Sequence, residues 1–205
     1  MERLDCERYW EDQICKDRHR FAEFQSCLER NPRERIYDAL KTYGHKTLLD
    51  VGCGLAIDYE YCRDIQIEYS GVDITESFVL TAQQKYPGVE IKVGRIQDLP
   101  FENEEKDIVM VRSVFEHLPE FEPALTELTR VAKHLVVIGW FLPPTDEEEI
   151  VLFKKQKGGS VYRNIYSKTR VAKAFKDNNL EIIEKIIIEK EDSSRNYMET
   201  WVCRK

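Results

Sequence analysis

The sequence predicts an α/β fold, a doubly wound and mostly parallel sheet with crossover helices, carried by a single domain over residues 1–205. Three observations predict it. Leu48-Leu49-Asp50-Val51-Gly52-Cys53-Gly54 reads as a buried strand that ends in an acid and a glycine turn. Beyond it, short apolar runs alternate with segments of helical period, the pattern of strands joined by crossover helices. Near the end, two alternating runs flank Asp192-Ser193-Ser194 and predict an antiparallel hairpin.

Taken in order, residues 1–44 are helical. Trp10, Ile14, Phe21, Phe24 and Leu28 recur at helical spacing, and Asn31-Pro32 starts a further helix that Gly44 terminates. The core spans 45–141. After the glycine turn a helix should follow, its first amides unpaired donors aimed at whatever sits over the turn. Tyr69-Ser70-Gly71-Val72-Asp73 is the second strand, followed by a helix over 76–86 that Pro87-Gly88 stops. Strands over 89–94, 107–114 and 134–141, with a helix over 122–133, complete this part. Residues 142–166 read as an insertion: Pro143-Pro144 breaks structure, Glu147-Glu148-Glu149 is acidic, and Lys154-Lys155-Gln156-Lys157 is basic. Ser167 caps a helix to Asn178, and strands over 181–190 and 195–205 close the unit formed by residues 167–205.

Composition narrows the function. A chain of 205 residues with 42% hydrophobic content can bury one sizeable core. A formal net charge of -7 disfavours nucleic acid or an anionic membrane as partner, because both require a positive field. No apolar run approaches the roughly 20 residues that span a bilayer, and Met1-Glu2-Arg3-Leu4-Asp5 lacks the apolar stretch of a secretion signal, so a cytoplasmic location is expected. The six cysteines contain no C-x-x-C pair. They read as free thiols, and no pair of histidines is spaced for a metal on one helix face, so no metal is expected.

Residues leaving the strands at 50, 73, 95, 112 and 140 should converge on one crevice at the carboxyl ends of the sheet. Asp73 lies 23 residues after Asp50, where a carboxylate can accept hydrogen bonds from both hydroxyls of a ribose. The competing reading is that it caps the helix that starts near Thr75. Cys53 reads as a small residue that fits the turn. Arg112 leaves the fourth strand as a candidate cofactor contact, Glu116 and His117 lie just beyond it and Trp140 leaves the fifth, which places the acceptor pocket beside them. Tyr162 and Tyr166 are candidate walls of that pocket.

The chain resembles the class I S-adenosylmethionine-dependent methyltransferases, in particular the small-molecule branch similar to the ubiquinone-biosynthesis enzymes. The likeness rests on Asp50-Val51-Gly52-Cys53-Gly54, Gly71-Val72-Asp73, Gly94-Arg95-Ile96-Gln97-Asp98-Leu99-Pro100-Phe101, and Asp107-Ile108-Val109-Met110-Val111 with Phe115-Glu116-His117-Leu118. It implies a Rossmann-like, seven-stranded sheet with an antiparallel C-terminal strand and an N-terminal helical lid, to which Tyr9 and Trp10 would contribute an aromatic wall. By resemblance, Asp50 and the turn lie beside the methionine part of the cofactor, Asp73 and Ile74 at its ribose, and Arg95, Ile96 and Gln97 along its adenine. Two positions depart from the pattern. Ala56 stands where a third glycine is usual, and Arg95 stands where relatives carry an acid. An arginine cannot accept a hydrogen bond from the adenine amino group, so Gln97, Asp98 or the backbone must.

The implied activity moves a methyl group to an oxygen or nitrogen of a small metabolite and releases S-adenosylhomocysteine. If the acceptor is a hydroxyl, its proton must be removed, and His117 is the candidate general base, with Glu116 second. The alternative for His117 is that it bonds backbone and shapes the site. Three other functions remain in view: a non-catalytic cofactor-binding protein, a nicotinamide oxidoreductase, and a protein or RNA methyltransferase. Asp50 just before the first glycine argues against the second, since its carboxylate would repel a pyrophosphate. The net acidity argues against an RNA acceptor.

Overall fold

The computed structural model describes residues 9–10, 30–156, 159–189 and 197–205. Helix α1 (Arg30–Thr42) is followed by β1 (Thr47–Val51), α2 (Tyr59–Asp64), β2 (Glu68–Asp73), α3 (Glu76–Lys85), β3 (Glu90–Val93) and β4 (Lys106–Arg112). A single 3₁₀ turn (Phe115–His117) leads to α4 (Glu122–Val131), β5 (Ala132–Trp140), β6 (Phe153–Gln156), β7 (Gly159–Tyr162), α5 (Lys168–Asp177), β8 (Glu181–Glu189) and β9 (Tyr197–Arg204).

Seven strands form one sheet in the order β3-β2-β1-β4-β5-β9-β8. The pairings among β1 to β5 are parallel, and β9 inserts antiparallel between β5 and β8. This is the doubly wound sheet with an antiparallel C-terminal strand that the pattern predicts. The alternation of a strand's side chains sends Leu48, Ile108, Met110 and Val137 to one face, where Ile36, Tyr37 and Leu40 of α1 and Val79 and Ala82 of α3 cover them. Leu49, Val51, Val109, Val111, Val136 and Ile138 face the other side, under Leu125 and Leu128 of α4 and Val171 and Phe175 of α5. Both faces are buried, which is why the central strands read as continuous apolar runs.

Several expectations are corrected in detail. The fourth strand ends at Arg112 rather than 114, because Ser113 takes a left-handed conformation (φ 54°) and turns the chain into the 3₁₀ turn. The helix expected over 122–133 stops at Val131, since Ala132 already pairs with Lys106 in the sheet. Residues 142–166 are more than an insertion loop: β6 and β7 form a two-stranded hairpin, and bridges join Thr145 to Ser167 and Ile150 to Ile165. At the other end of the chain Tyr9 and Trp10 are helical, while the rest of the periodic stripe from Ile14 to Leu28 lies outside the described residues. Among the described residues no helix is long and apolar enough to cross a membrane.

Candidate functional site

The glycine turn leaves β1 at the carboxyl edge of the sheet. Gly52 (φ 77°) and Gly54 (φ 54°) are left-handed, the conformation glycine takes without steric cost. A Cβ on Gly52 would lie 2.5 Å from Val114 Cγ2, so the turn and the chain after β4 are packed against each other. The turn's own amides are largely committed. The N–H groups of Gly52 and Cys53 both donate to the Val72 carbonyl, at 2.8 and 3.1 Å, and that of Ala56 to the Cys53 carbonyl at 2.9 Å. Helix α2 starts only at Tyr59 because the chain first folds back on β2. Ala56 occupies the third position with φ 53°, a conformation a glycine would hold with less strain.

Gly54 N–H donates 2.8 Å to Asp73 Oδ2, and Thr75 N–H donates 2.8 Å to Asp73 Oδ1. Asp73 is thus not the helix cap, a place Thr75 takes; one carboxylate ties the end of β2 to the glycine turn and to the residue before α3. Cys53 packs its sulfur over Gly71, where an added Cβ would meet it at 2.9 Å, and burial beside Asp73 and Asp50 pushes its thiol pKa well up. That thiol is filler, as expected. Ile74 is half-buried between Asp73 and Thr75.

Asp50 points to the face of the sheet shared with α1 and is 3% exposed. The Tyr69 hydroxyl donates to its Oδ2 at 2.9 Å. Burial, aided by the negative charge of Asp58, raises the Asp50 pKa from 3.8 to about 7. Asp58 was not singled out in the sequence, yet it is the hub of the cluster. Its Oδ1 accepts from Tyr37 Oη at 3.0 Å, Arg33 Nε at 3.2 Å and Arg112 Nη1 at 2.9 Å. The two guanidinium groups outweigh its burial and hold its pKa below the usual value. Arg112 thus reaches the crevice already ion-paired. The only sequence signal for Asp58 was a carboxyl just before a helix.

In the segment expected to border the adenine, Ile96 is buried in the core with Val72, Leu99 and Phe101, Arg95 is half-buried and its carbonyl accepts the Asp98 N–H at 3.0 Å, and Gln97 and Asp98 are exposed.

Beyond β4, the hairpin is tied down onto the 3₁₀ turn. His117 Nδ1 lies 2.7 Å from the Tyr162 carbonyl oxygen, Asn164 N–H donates to the Glu116 carbonyl at 2.9 Å, and the Tyr166 hydroxyl lies 2.9 Å from the carbonyls of Phe115 and Leu118. Trp10 stands edge-on to the His117 ring, with centroids 5.1 Å apart, and Tyr9 packs edge-on to Trp10 at 5.1 Å. With the proton on Nδ1, the neutral imidazole keeps its lone pair on Nε2, and burial lowers its pKa. Glu116 is 1% exposed, and neither of its carboxyl oxygens has a hydrogen-bond partner among the described residues. Burial raises its pKa to about 7.

Two expected pocket walls are corrected. Trp140 is 1% exposed and packs edge-on to Phe115, Phe121 and Trp201, so it is a core residue. Tyr166 is equally buried and lies against Phe121. Both follow from side chains at these positions pointing into the face covered by α4 and α5. Tyr162 remains half-buried, its ring 4.8 Å from exposed Phe153, which ends a run of four exposed apolar residues from Ile150.

Residues 49–137 match the family model described as a methyltransferase domain. A probable S-adenosylmethionine-dependent methyltransferase of Mycolicibacterium smegmatis is 28% identical over 88 residues, 43% of this chain and 34% of the relative. Demethylmenaquinone methyltransferase of Staphylococcus carnosus is 27% identical over 108 residues, 49% of this chain and 44% of the relative. The chain thus spans well under two thirds of the length of these curated relatives. Among solved structures, the 1,6-didemethyltoxoflavin-N1-methyltransferase of Burkholderia thailandensis, with bound 1,6-didemethyltoxoflavin and S-adenosylhomocysteine, superposes with a TM-score of 0.70. It is 13% identical, and the match covers 96% of this chain and 87% of the other, a likeness of fold.

Proposed function

We propose that this chain, whose residues 49–137 match a methyltransferase-domain model, transfers a methyl group from S-adenosylmethionine to an oxygen or nitrogen of a small molecule. The observation that carries the reading is the 2.8 Å hydrogen bond from Gly54 N–H to Asp73. It makes the glycine turn and the acid at the end of β2 one unit, with no side chain at 52 or 54 to fill the approach.

The residues fit the cofactor's chemistry. Asp73 offers a carboxylate to the ribose hydroxyls. Asp50, Asp58, Arg33 and Arg112 form a cluster of two carboxyl groups and two cations, suited to the ammonium and carboxylate of the methionine end. Asp50, held near neutrality by burial, would release its proton when an ammonium arrives beside it. Ile96 and the backbone of 95–98 would border the adenine, with Gln97 or Asp98 as acceptor. When bound, the cofactor supplies a methyl group activated by a sulfonium.

The chain's part is to align the acceptor and take its proton. His117 is the proton acceptor of this reading, its Nδ1–H directed by the Tyr162 carbonyl so that Nε2 carries the lone pair. Glu116, buried next to it, is the second candidate. Tyr9, Trp10 and Tyr162, with Phe153 at the rim, would wall the acceptor, which favours a ring or other largely apolar molecule. Incubating the protein with methyl-labelled cofactor and a panel of phenolic and heterocyclic metabolites tests the proposal. Label should pass to a small molecule, and calorimetry should show saturable binding of S-adenosylhomocysteine. Absence of saturable binding of either cofactor form refutes it.

A further inference from the structure

At the opposite rim of the sheet, where the strands begin, three side chains from separate segments meet. His45 lies two residues before β1, Asp107 is the second residue of β4, and His134 is the third residue of β5. Because β4 lies between β1 and β5 in the sheet, all three come together. One nitrogen of each imidazole and one oxygen of Asp107 lie within 4.8 Å of one another. The two imidazoles are stacked, with centroids 4.7 Å apart and planes 11° from parallel, and His134 Nε2 lies 3.9 Å from Asp107 Oδ1.

We propose that His45, Asp107 and His134 form a binding site for a divalent transition-metal ion of the zinc type, separate from the glycine-turn crevice. Two imidazole nitrogens and one carboxylate oxygen are a donor set that Zn²⁺ accepts in tetrahedral geometry with water as fourth ligand. Mg²⁺ and Ca²⁺ would require more oxygen donors than the site offers. At Zn–ligand distances of about 2.0–2.2 Å the donor atoms must stand roughly 3.4 Å apart, so the side chains need to close by roughly an ångström or more, and the stacked imidazoles must unstack and turn so that their in-plane lone pairs converge on the ion. His134 is exposed and His45 half-buried, which leaves them room to turn.

Asp107 is already aimed. Its Oδ2 accepts Lys46 N–H at 2.9 Å and Thr47 N–H at 3.1 Å, and its own N–H donates to Thr47 Oγ1 at 2.8 Å. The carboxylate is therefore oriented as an outer hydrogen-bond shell orients a metal ligand, with Oδ1 turned to the imidazole. The nearby ammonium of Lys205 is held by Glu104 at 2.9 Å and the Ala132 carbonyl at 3.0 Å, which keeps it from competing for the carboxylate. A bound ion would clamp the starts of three adjacent strands.

Calorimetry with zinc chloride on chelator-treated protein tests this, alongside the variants His45→Ala and His134→Ala, whose side chains are not part of the core. The expected result is one zinc per chain in the wild type, weakened by more than about tenfold in each variant. The melting temperature should rise with zinc in the wild type and stay flat in the variants. Cobalt substitution should give a spectrum without thiolate charge-transfer bands. No saturable uptake, uptake unchanged in both variants, or a thiolate spectrum that assigns the ion to cysteines would overturn the proposal.

Discussion

The His117 imidazole is hydrogen-bonded through Nδ1 to the Tyr162 carbonyl at 2.7 Å, so the 3₁₀ turn after β4 and the hairpin inserted after β5 are joined at one point. That bond selects a tautomer, and it makes the hairpin a positioning element for the imidazole.

If His117 accepts the proton, His117→Ala should lower turnover by about 10²–10⁴-fold and leave S-adenosylhomocysteine affinity within a factor of about two. Because burial lowers the His117 pKa, the acid limb of kcat/KM in the wild type should fall below pH 6.5. Steady-state kinetics across pH, with calorimetry on the same samples, read both. Full activity in the variant would remove His117 from the chemistry.

Asp73→Ala should weaken cofactor binding by the loss of hydrogen bonds to a charged group, about 1.5–3 kcal/mol each. The milder Asp73→Asn retains an acceptor for only one of the two amides and should show a smaller loss. An unchanged dissociation constant in both would sink the ribose assignment.

Gly52→Ala combines a left-handed φ, about 1–2 kcal/mol for a residue with a Cβ, with a contact of 2.5 Å to Val114 Cγ2. Overpacking of that kind adds about 1–3 kcal/mol. Thermal unfolding should therefore show a marked loss, and Val114→Ala in the same chain should restore the overpacking part alone.

Stability should also carry the signature of Asp50. Its folded pKa of about 7 lies above the ordinary 3.8, so the folded state binds the proton more tightly. The resulting stabilisation is complete below pH 3.8 and is lost as pH rises through 7. Glu116, raised from 4.5 to about 7, acts in the same direction. Asp50→Asn should flatten the decline of melting temperature between mildly acidic and neutral pH, with Glu116 left to supply the remainder. Equal slopes in the two proteins would show that Asp50 titrates normally.

The doubly wound sheet was legible because its signals are local and periodic. Asp50 and the two glycines mark the first strand's end, Asp73 the second's, and the runs in β4 and β5 are apolar on both faces because helices cover both. The element ends were less so. Ser113, whose left-handed turn cuts β4 short, looks in sequence like any residue of the strand. Trp140 read as a pocket wall from its place at a strand end, but side-chain alternation turned it into the core, and Tyr166, outside any strand, is held in the core by its hydroxyl's bonds with the Phe115 and Leu118 carbonyls.

By itself, then, the sequence determined which residues become strands, where the glycine turn falls, and that an acid follows at a ribose-compatible spacing, since each depends on neighbours along the chain. Only tertiary structure decided the rest. Asp58 meets Arg33 and Arg112 across 25 and 54 residues, His117 meets Tyr162 across 45, and His45 meets Asp107 and His134 because parallel pairing sets their strands side by side. Contacts so distant in sequence leave no periodic trace. Burial, which moves the Asp50 and Glu116 carboxyls toward neutrality, exists only once the helices have closed over the sheet.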